Sequence, residues 1–207
     1  MCGRYVVTNA VTKTKGLVKS AIQIEDNENY NAHPYQNLPV IKKYTNGSAL
    51  EKLKWGIVPS WSKKKDFKPL INSRLETIDE KISFKKLIKL KRCIAIADGF
   101  YEWKRTEKEK KPFFFQRQDK KTIYFAGIYD ENEFCLITEQ ASENLLAIHH
   151  RQPVILNQKD LKSYLDLQLD GSAFLKEAKK PRLEFYEVSK DVNKPTNNSV
   201  SLIQKLN

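Results

Sequence analysis

The stretch from 92 to 138 constrains the fold more than any other part of the chain. Five runs rich in β-branched, aromatic and small apolar residues follow one another there, at 92–97, 99–105, 112–117, 122–129 and 133–138. Each is bounded by polar turn residues, the pattern of short strands. Strands so dense, with only a few helical segments elsewhere, predict an α+β fold: a mostly antiparallel, barrel-like sheet with several short flanking helices.

The flanking segments read less regularly. Residues 3–8 form a strand pattern, and Thr8 or Asn9 is placed to cap a short helix running towards Ala21. Residues 38–44 and 50–55 flank Asn46-Gly47, a strong hairpin signal. Helical spacing at 83–90 puts Phe84, Leu87 and Ile88 on one face. Asn157 is placed to cap a helix through Leu165, a second short helix is expected near Ser172, and 183–188 reads as a late strand. No repeat and no Pro- or Gly-rich linker divides the 207 residues, so a single domain over 1–207 is expected. A hydrophobic content of 40%, with 11% aromatics, excludes a disordered chain.

Lys and Arg number 37 against 25 Asp and Glu, a formal charge of +12 that favours polyanions, nucleic acid first among them. Part of the excess sits in solvent-like runs at 63–65, 85–86 and 108–111. The three cysteines, Cys2, Cys93 and Cys135, show no Cys-x-x-Cys spacing. Neither a disulfide framework nor a zinc site is supported, and no metal or cofactor is expected. The N-terminal residues lack a secretory apolar stretch and no run reaches membrane-spanning length. A soluble, cytoplasmic, nucleoid-associated monomer without membrane contacts is therefore expected.

Cys2 directly follows Met1. A small second residue favours removal of the initiator methionine, which would leave a free α-amine beside a thiol. An α-amine titrates near about 7.7–8.0 and a lysine near about 10.4, so at neutral pH roughly a tenth of the former is unprotonated against far less than a thousandth of the latter. Condensed with an aldehyde, such an amine gives an imine. The thiol of the same residue then closes onto the imine carbon as a five-membered thiazolidine, and intramolecular closure makes that ring resist reversal.

Five segments make the chain specific: Met1-Cys2-Gly3-Arg4-Tyr5; Trp55-Gly56-Ile57-Val58-Pro59-Ser60-Trp61; Ile71-Asn72-Ser73-Arg74-Leu75-Glu76-Thr77; Asp98-Gly99-Phe100-Tyr101-Glu102-Trp103; and His149-His150-Arg151-Gln152-Pro153. In content and order they resemble the SRAP (SOS response associated peptidase) family, whose members include the bacterial abasic-site crosslinker and its eukaryotic counterpart. Weaker matches lie at 31–40, 125–127, 138–139 and 188–197, so the resemblance spans residue 2 to about 197.

The resemblance implies a covalent crosslink to abasic sites in single-stranded DNA through Cys2, with lyase and autoproteolytic activities also implied. Asn72 matches the asparagine that positions the terminal amine. Glu102 matches the acid–base carboxylate that opens the closed sugar, and His149 the histidine that assists imine chemistry. Arg74 and Arg151 match phosphate-holding arginines, and Arg4 is expected on the same surface. Trp55 and Trp61 are candidates for stacking on bases, with core burial the alternative, above all for Trp61. His150 and Gln152 depart from a segment that usually reads His-Asp-Arg-Met-Pro, and Tyr35 stands where a threonine is common.

Two other readings stay open on the residues. One is a cysteine peptidase built from Cys2, His149 and Glu102 or Asn72. The other is a non-covalent single-strand-binding module resting on charge and aromatics.

Overall fold

Side-chain alternation decides which strands close the core. In 47–55 the buried residues Leu53 and Trp55 alternate with the outward Lys52 and Lys54, so one face is apolar. In 92–97 every residue is buried, as expected of a strand covered on both faces.

The computed structural model describes residues 2–206 apart from 22, 23, 25–27, 46, 63–65 and 108. Its strands are β1 (Tyr5–Val7), β2 (Ser20–Ala21), β3 (Asn29–Ala32), β4 (Asn37–Tyr44), β5 (Gly47–Trp55), β6 (Asn72–Arg74), β7 (Arg92–Ala97), β8 (Gly99–Arg105), β9 (Lys110–Arg117), β10 (Ile123–Asp130), β11 (Glu133–Gln140), β12 (Arg151–Pro153), β13 (Ile155–Leu156) and β14 (Leu183–Glu187). Its α-helices are α1 (Ala10–Lys15), α2 (Leu87–Leu90), α3 (Glu143–Leu146), α4 (Leu161–Leu165) and α5 (Gly171–Glu177). The five central runs appear as β7 to β11, and the fold is α+β and mostly antiparallel, as expected.

One sheet closes on itself. β5 pairs β4, β4 pairs β7, β7 pairs β10 and β10 pairs β11, all antiparallel. β11 then returns to β5 through two parallel pairs, Glu133 with Lys54 and Phe134 with Trp55. Each of these five strands therefore has a strand neighbour on both sides. Its core holds Tyr5, Trp55, Phe125 and Phe134, with ring centroids 5.0 Å apart for Tyr5 and Trp55 and 6.2 Å for Trp55 and Phe134. Each such aromatic removes on the order of 150–250 Å² from water, which makes them the main contributors to core stability.

The second sheet runs β14-β9-β8-β1-β3, antiparallel throughout. Phe100 of β8 stacks on Phe115 of β9 at 4.9 Å and meets Phe125 of the ring edge-on at 5.8 Å, so this sheet packs on the ring through one face. Its other face is covered by the C-terminal segment, where Val188, Val192 and Leu202 pack with Val6, Tyr101 and Phe114.

Helix ends differ from expectation. α1 stops at Lys15, and neither Thr8 nor Asn9 caps it with its side chain. The carboxylate of Asp98, from the β7–β8 turn, does so instead: one oxygen accepts from the backbone N–H groups of Thr8 (2.8 Å), Asn9 (2.9 Å) and Ala10 (3.2 Å). Only Leu87–Leu90 of the expected 83–90 helix is α-helical, although Phe84, Leu87 and Ile88 are all buried. Asn157 caps nothing; a short 3-10 turn precedes α4, and Asn157 Nδ2 donates to the Lys179 carbonyl at 2.7 Å. The hairpin at 46–47 joins β4 and β5 with Tyr44 opposite Gly47, while Asn46 itself lies outside the described residues.

Asp98→Ala removes a charged acceptor from three backbone donors at once. The expected loss is about 2 kcal/mol of unfolding free energy, read from urea denaturation. An unchanged midpoint would show that α1 is held by other contacts.

Candidate active site

The strand pairing of β1 and β8 places the start of the chain. Tyr5 lies opposite Phe100 and Val6 opposite Gly99, and the pairing continues outward as the Tyr101 N–H donates to the Arg4 carbonyl at 2.9 Å. Continued by one more residue, the register sets Gly3 beside Glu102. Cys2 is fully buried, and burial, with the nearby Glu102 charge adding to it, raises its thiol far above the ordinary value. Its Sγ makes a weak 4.0 Å contact to the Arg4 carbonyl. The thiol is therefore held protonated in this state.

Asn72 reaches the same point from the ring. β6 pairs β11 in parallel, with Asn72 opposite Leu136, and Asn72 Nδ2 donates to the Cys2 carbonyl at 2.9 Å. Its Oδ1 is buried and accepts no hydrogen bond among the described residues. Gly3, Glu102 and His149 line one open cavity of about 350 Å³. Burial raises the Glu102 carboxyl above the usual carboxylate range. Burial lowers His149, with the positive charge of Arg105 and Arg151 acting in the same direction. His149 Nδ1 lies 3.0 Å from both the N–H and the carbonyl of Arg151, and its ring stacks on His150 at 4.5 Å. Asn72, Glu102 and His149 thus gather around Cys2 and Gly3, with the Glu102 carboxyl raised and the His149 imidazole lowered from their ordinary values.

The expected DNA-contacting residues divide. Arg74 is exposed at the end of β6, and Arg4 lines the cavity, its Nη1 donating to Asn31 Oδ1 at 2.6 Å and to the Val192 carbonyl at 2.8 Å. Arg151 is occupied: its two terminal nitrogens donate to the Glu76 carboxylate at 2.7 and 2.9 Å, and one also to the Thr138 carbonyl at 2.8 Å. With its side chain only 10% exposed, Arg151 of β12 is a strut to β11 and to the short turn that follows β6 in this structure, not an open phosphate clamp. Trp55 is 0% exposed and donates its indole N–H to the Ile71 carbonyl at 2.9 Å, so it cannot stack on a base here. Trp61 is the exposed one, at 55%, resting edge-on against Phe67. Four further cavity residues were not singled out from the sequence: Trp103, Arg105, Lys110 and Asn193. Lys110 lay hidden in a lysine run that reads as solvated surface, and Asn193 in a weak motif match.

The SOS response associated peptidase (SRAP) family model matches residues 1–195. The chain belongs to the SRAP family. Among SRAP-like relatives, it is 34% identical to the abasic site processing protein YoqW of Bacillus subtilis, over 99% of both chains. It is 30% identical to the abasic site processing protein YedK of Escherichia coli, also over 99% of both. It is 34% identical to the abasic site processing protein HMCES of Gallus gallus, over 66% of this chain and 53% of that one. In fold it resembles a crystal structure of a protein from Bacteroides thetaiotaomicron, with a TM-score of 0.85 at 22% identity over the whole of both chains. A phage-related protein of Bordetella bronchiseptica gives a TM-score of 0.75 at 23% identity, over 91% of this chain and 95% of that one. Among the described residues, no helix is long and apolar enough to cross a membrane, and no group of three His, Cys, Asp or Glu could hold a metal ion.

The engagement of Arg151 separates it from Arg74 in a stability assay. Arg151→Ala should lower the unfolding free energy by about 1–3 kcal/mol, because the Thr138 and Glu76 acceptors lose a charged donor. Arg74→Ala should stay within about 0.5 kcal/mol of the parent. Equal effects in urea denaturation would contradict the division.

Proposed function

We propose that this SRAP protein acts as a single-domain monomer on abasic sites in single-stranded DNA, bonding covalently to the lesion through Cys2 once Met1 is removed. The observation that carries the reading is the convergence of Asn72, Glu102 and His149 on the start of β1, within a strongly basic chain.

The chemistry follows from these positions. Glu102, its carboxyl raised above the ordinary value by burial, gives a proton to the ring oxygen of the closed sugar as the ring C–O bond breaks, and takes up the proton of the anomeric hydroxyl as the aldehyde forms. Asn72 Oδ1, buried and accepting nothing among the described residues, is free to take a hydrogen bond from the terminal amine while Nδ2 holds the Cys2 carbonyl. The amine adds to the aldehyde carbon and water leaves, with His149 moving protons; the neutral ring is favoured near pH 7 because its pKa is lowered. The Cys2 thiol then adds to the imine carbon and its proton passes to nitrogen, so the whole sequence releases one water and forms a thiazolidine. If the imine instead loses a proton from the adjacent sugar carbon, the 3′ phosphate leaves and the strand is cut, which is the lyase outcome.

The buried, protonated thiol speaks against a cysteine peptidase, which needs a thiolate. It suits a path in which the amine reacts first and the thiol closes the ring afterwards. Exposed Trp61 and the basic charge are compatible with non-covalent strand binding as well, and only covalent chemistry separates the two.

Cys2→Ala should retain the α-amine, give a borohydride-trappable imine and give no heat-stable adduct. A form that keeps Met1 or carries an N-terminal tag should give neither product, since its cysteine nitrogen is an amide. A denaturing gel with uracil-containing single-stranded oligonucleotide, before and after uracil glycosylase, reads both. Crosslinking by the tagged form equal to that of the mature one would overturn the proposal.

Glu102→Gln should slow adduct formation by about 10²-fold or more while DNA affinity changes little. A parallel loss of affinity would make Glu102 structural.

A further inference from the structure

The cavity beside Glu102 carries three cations, Arg4, Arg105 and Lys110, around that one carboxylate. The β8–β9 hairpin explains the grouping of Arg105 and Lys110, which pair at its turn end, two positions beyond the Trp103–Pro112 pair. Two of the three, Lys110 and Arg4, lie over the Trp103 ring. Lys110 Nζ lies 4.6 Å from the ring centroid and the Arg4 guanidinium 6.0 Å from it, while the Trp103 indole N–H donates to Asn193 Oδ1 at 2.7 Å.

The neighbouring acids are already occupied by outward-facing lysines. Glu109 takes Lys190 at 2.8 Å and Lys111 at 3.3 Å, and Glu187 takes Lys111 at 3.5 Å. Among the described residues, neither Arg105 nor Lys110 makes an ion pair, unlike Arg151, whose charge Glu76 neutralises. Burial, with Arg105 beside it, pulls the Lys110 ammonium below its ordinary value. Three cations gathered around a single carboxylate leave the cavity with an excess of positive charge, and a bound anion relieves the repulsion among them. A cavity of about 350 Å³ is within the size range of small-molecule sites.

We infer that Arg105 and Lys110 form an anion subsite that holds a phosphate adjoining the reacting sugar, in the cavity that Glu102 and Gly3 also line. The inference rests on the abasic-site reading above and adds to it the group that anchors the lesion. Trp103, held by Asn193, positions Lys110 and does not touch the phosphate.

The test compares Arg105→Gln, Lys110→Gln and their double variant with Lys111→Gln, a surface control held by Glu109 and Glu187. Adduct rates are measured against concentration of abasic oligonucleotides whose linkage 5′ or 3′ to the lesion is either phosphodiester or uncharged methylphosphonate. Each cavity variant should raise the half-saturating concentration roughly tenfold, with the maximal rate little changed. For the linkage that the subsite holds, the methylphosphonate should weaken the parent but not the double variant, and the two arms identify the side. If both cavity variants match Lys111→Gln, or lose equally with every linkage, the subsite is wrong.

A parent protein that forms no adduct defeats the functional reading instead. Binding of 2-deoxyribose 5-phosphate, 2-deoxyribose and inorganic phosphate, followed by NMR of the arginine and lysine side-chain N–H signals, still decides the subsite in that case. Shifts at Arg105 and Lys110 with the two phosphates but not with the bare sugar support it. No shift at these residues overturns it.

Discussion

Everything at the candidate site depends on how closely β1 can lie against β8. A chain terminus ordinarily frays, yet here Tyr5 is fully buried between Trp55 and Phe125, with ring centroids 5.0 and 5.6 Å away. The hairpin beneath it requires a glycine. A Cβ at Gly99 would lie 2.8 Å from the Phe115 carbonyl and collide with the Phe114 ring, so any side chain would push β8 off β9. With that approach secured, Asp98 ties the turn to the first residues of α1, Arg4 pairs with Tyr101, and Cys2 comes to rest beside Glu102. The site follows from packing the start of the chain as though it were an internal strand.

The parts of this arrangement that the residues announced are those whose signal is local. β7 to β11 were legible because each run is apolar, short and bounded by turn residues. β3 and β6 were not, since Asn29–Ala32 and Asn72–Arg74 are brief and polar and become strands only because neighbouring strands offer them hydrogen bonds. Helix ends failed for a related reason: the acceptor that starts α1 is Asp98, far along the chain, and no local capping rule could find it. The tryptophans show both outcomes. The burial of Trp55 was available from its phase, two residues after Leu53 in an alternating strand, whereas the exposure of Trp61 depends on a turn that nothing nearby specifies.

Charge is the property a sequence conceals best. Arg74 and Arg151 look alike in their motifs, yet Glu76, in the same segment as Arg74, neutralises Arg151 and leaves Arg74 exposed. The formal charge of +12 likewise says nothing of where unpaired cations gather. Lys111 and Lys190 are matched by Glu109, while Lys110, adjacent to both Glu109 and Lys111 in sequence, turns into the cavity. Strand alternation sets that difference, since successive side chains leave on opposite faces.

The two departures beside His149 sit in different surroundings. Gln152 turns away from the cavity: its Oε1 accepts from the Ser142 N–H at 2.9 Å and its Nε2 donates to Glu139 at 2.9 Å, so it braces the start of α3. His150 is exposed, and its imidazole lies along that of His149. The His149 ring also meets the backbone of Arg151. The Arg151 N–H can donate to Nδ1 of the neutral ring, and the Arg151 carbonyl can accept from Nδ1–H of the protonated one, each at 3.0 Å. Both protonation states thus find a partner without rotation of the ring. Of the two departures, only His150 touches the His149 ring, by stacking on it, whereas Gln152 is engaged with Ser142 and Glu139.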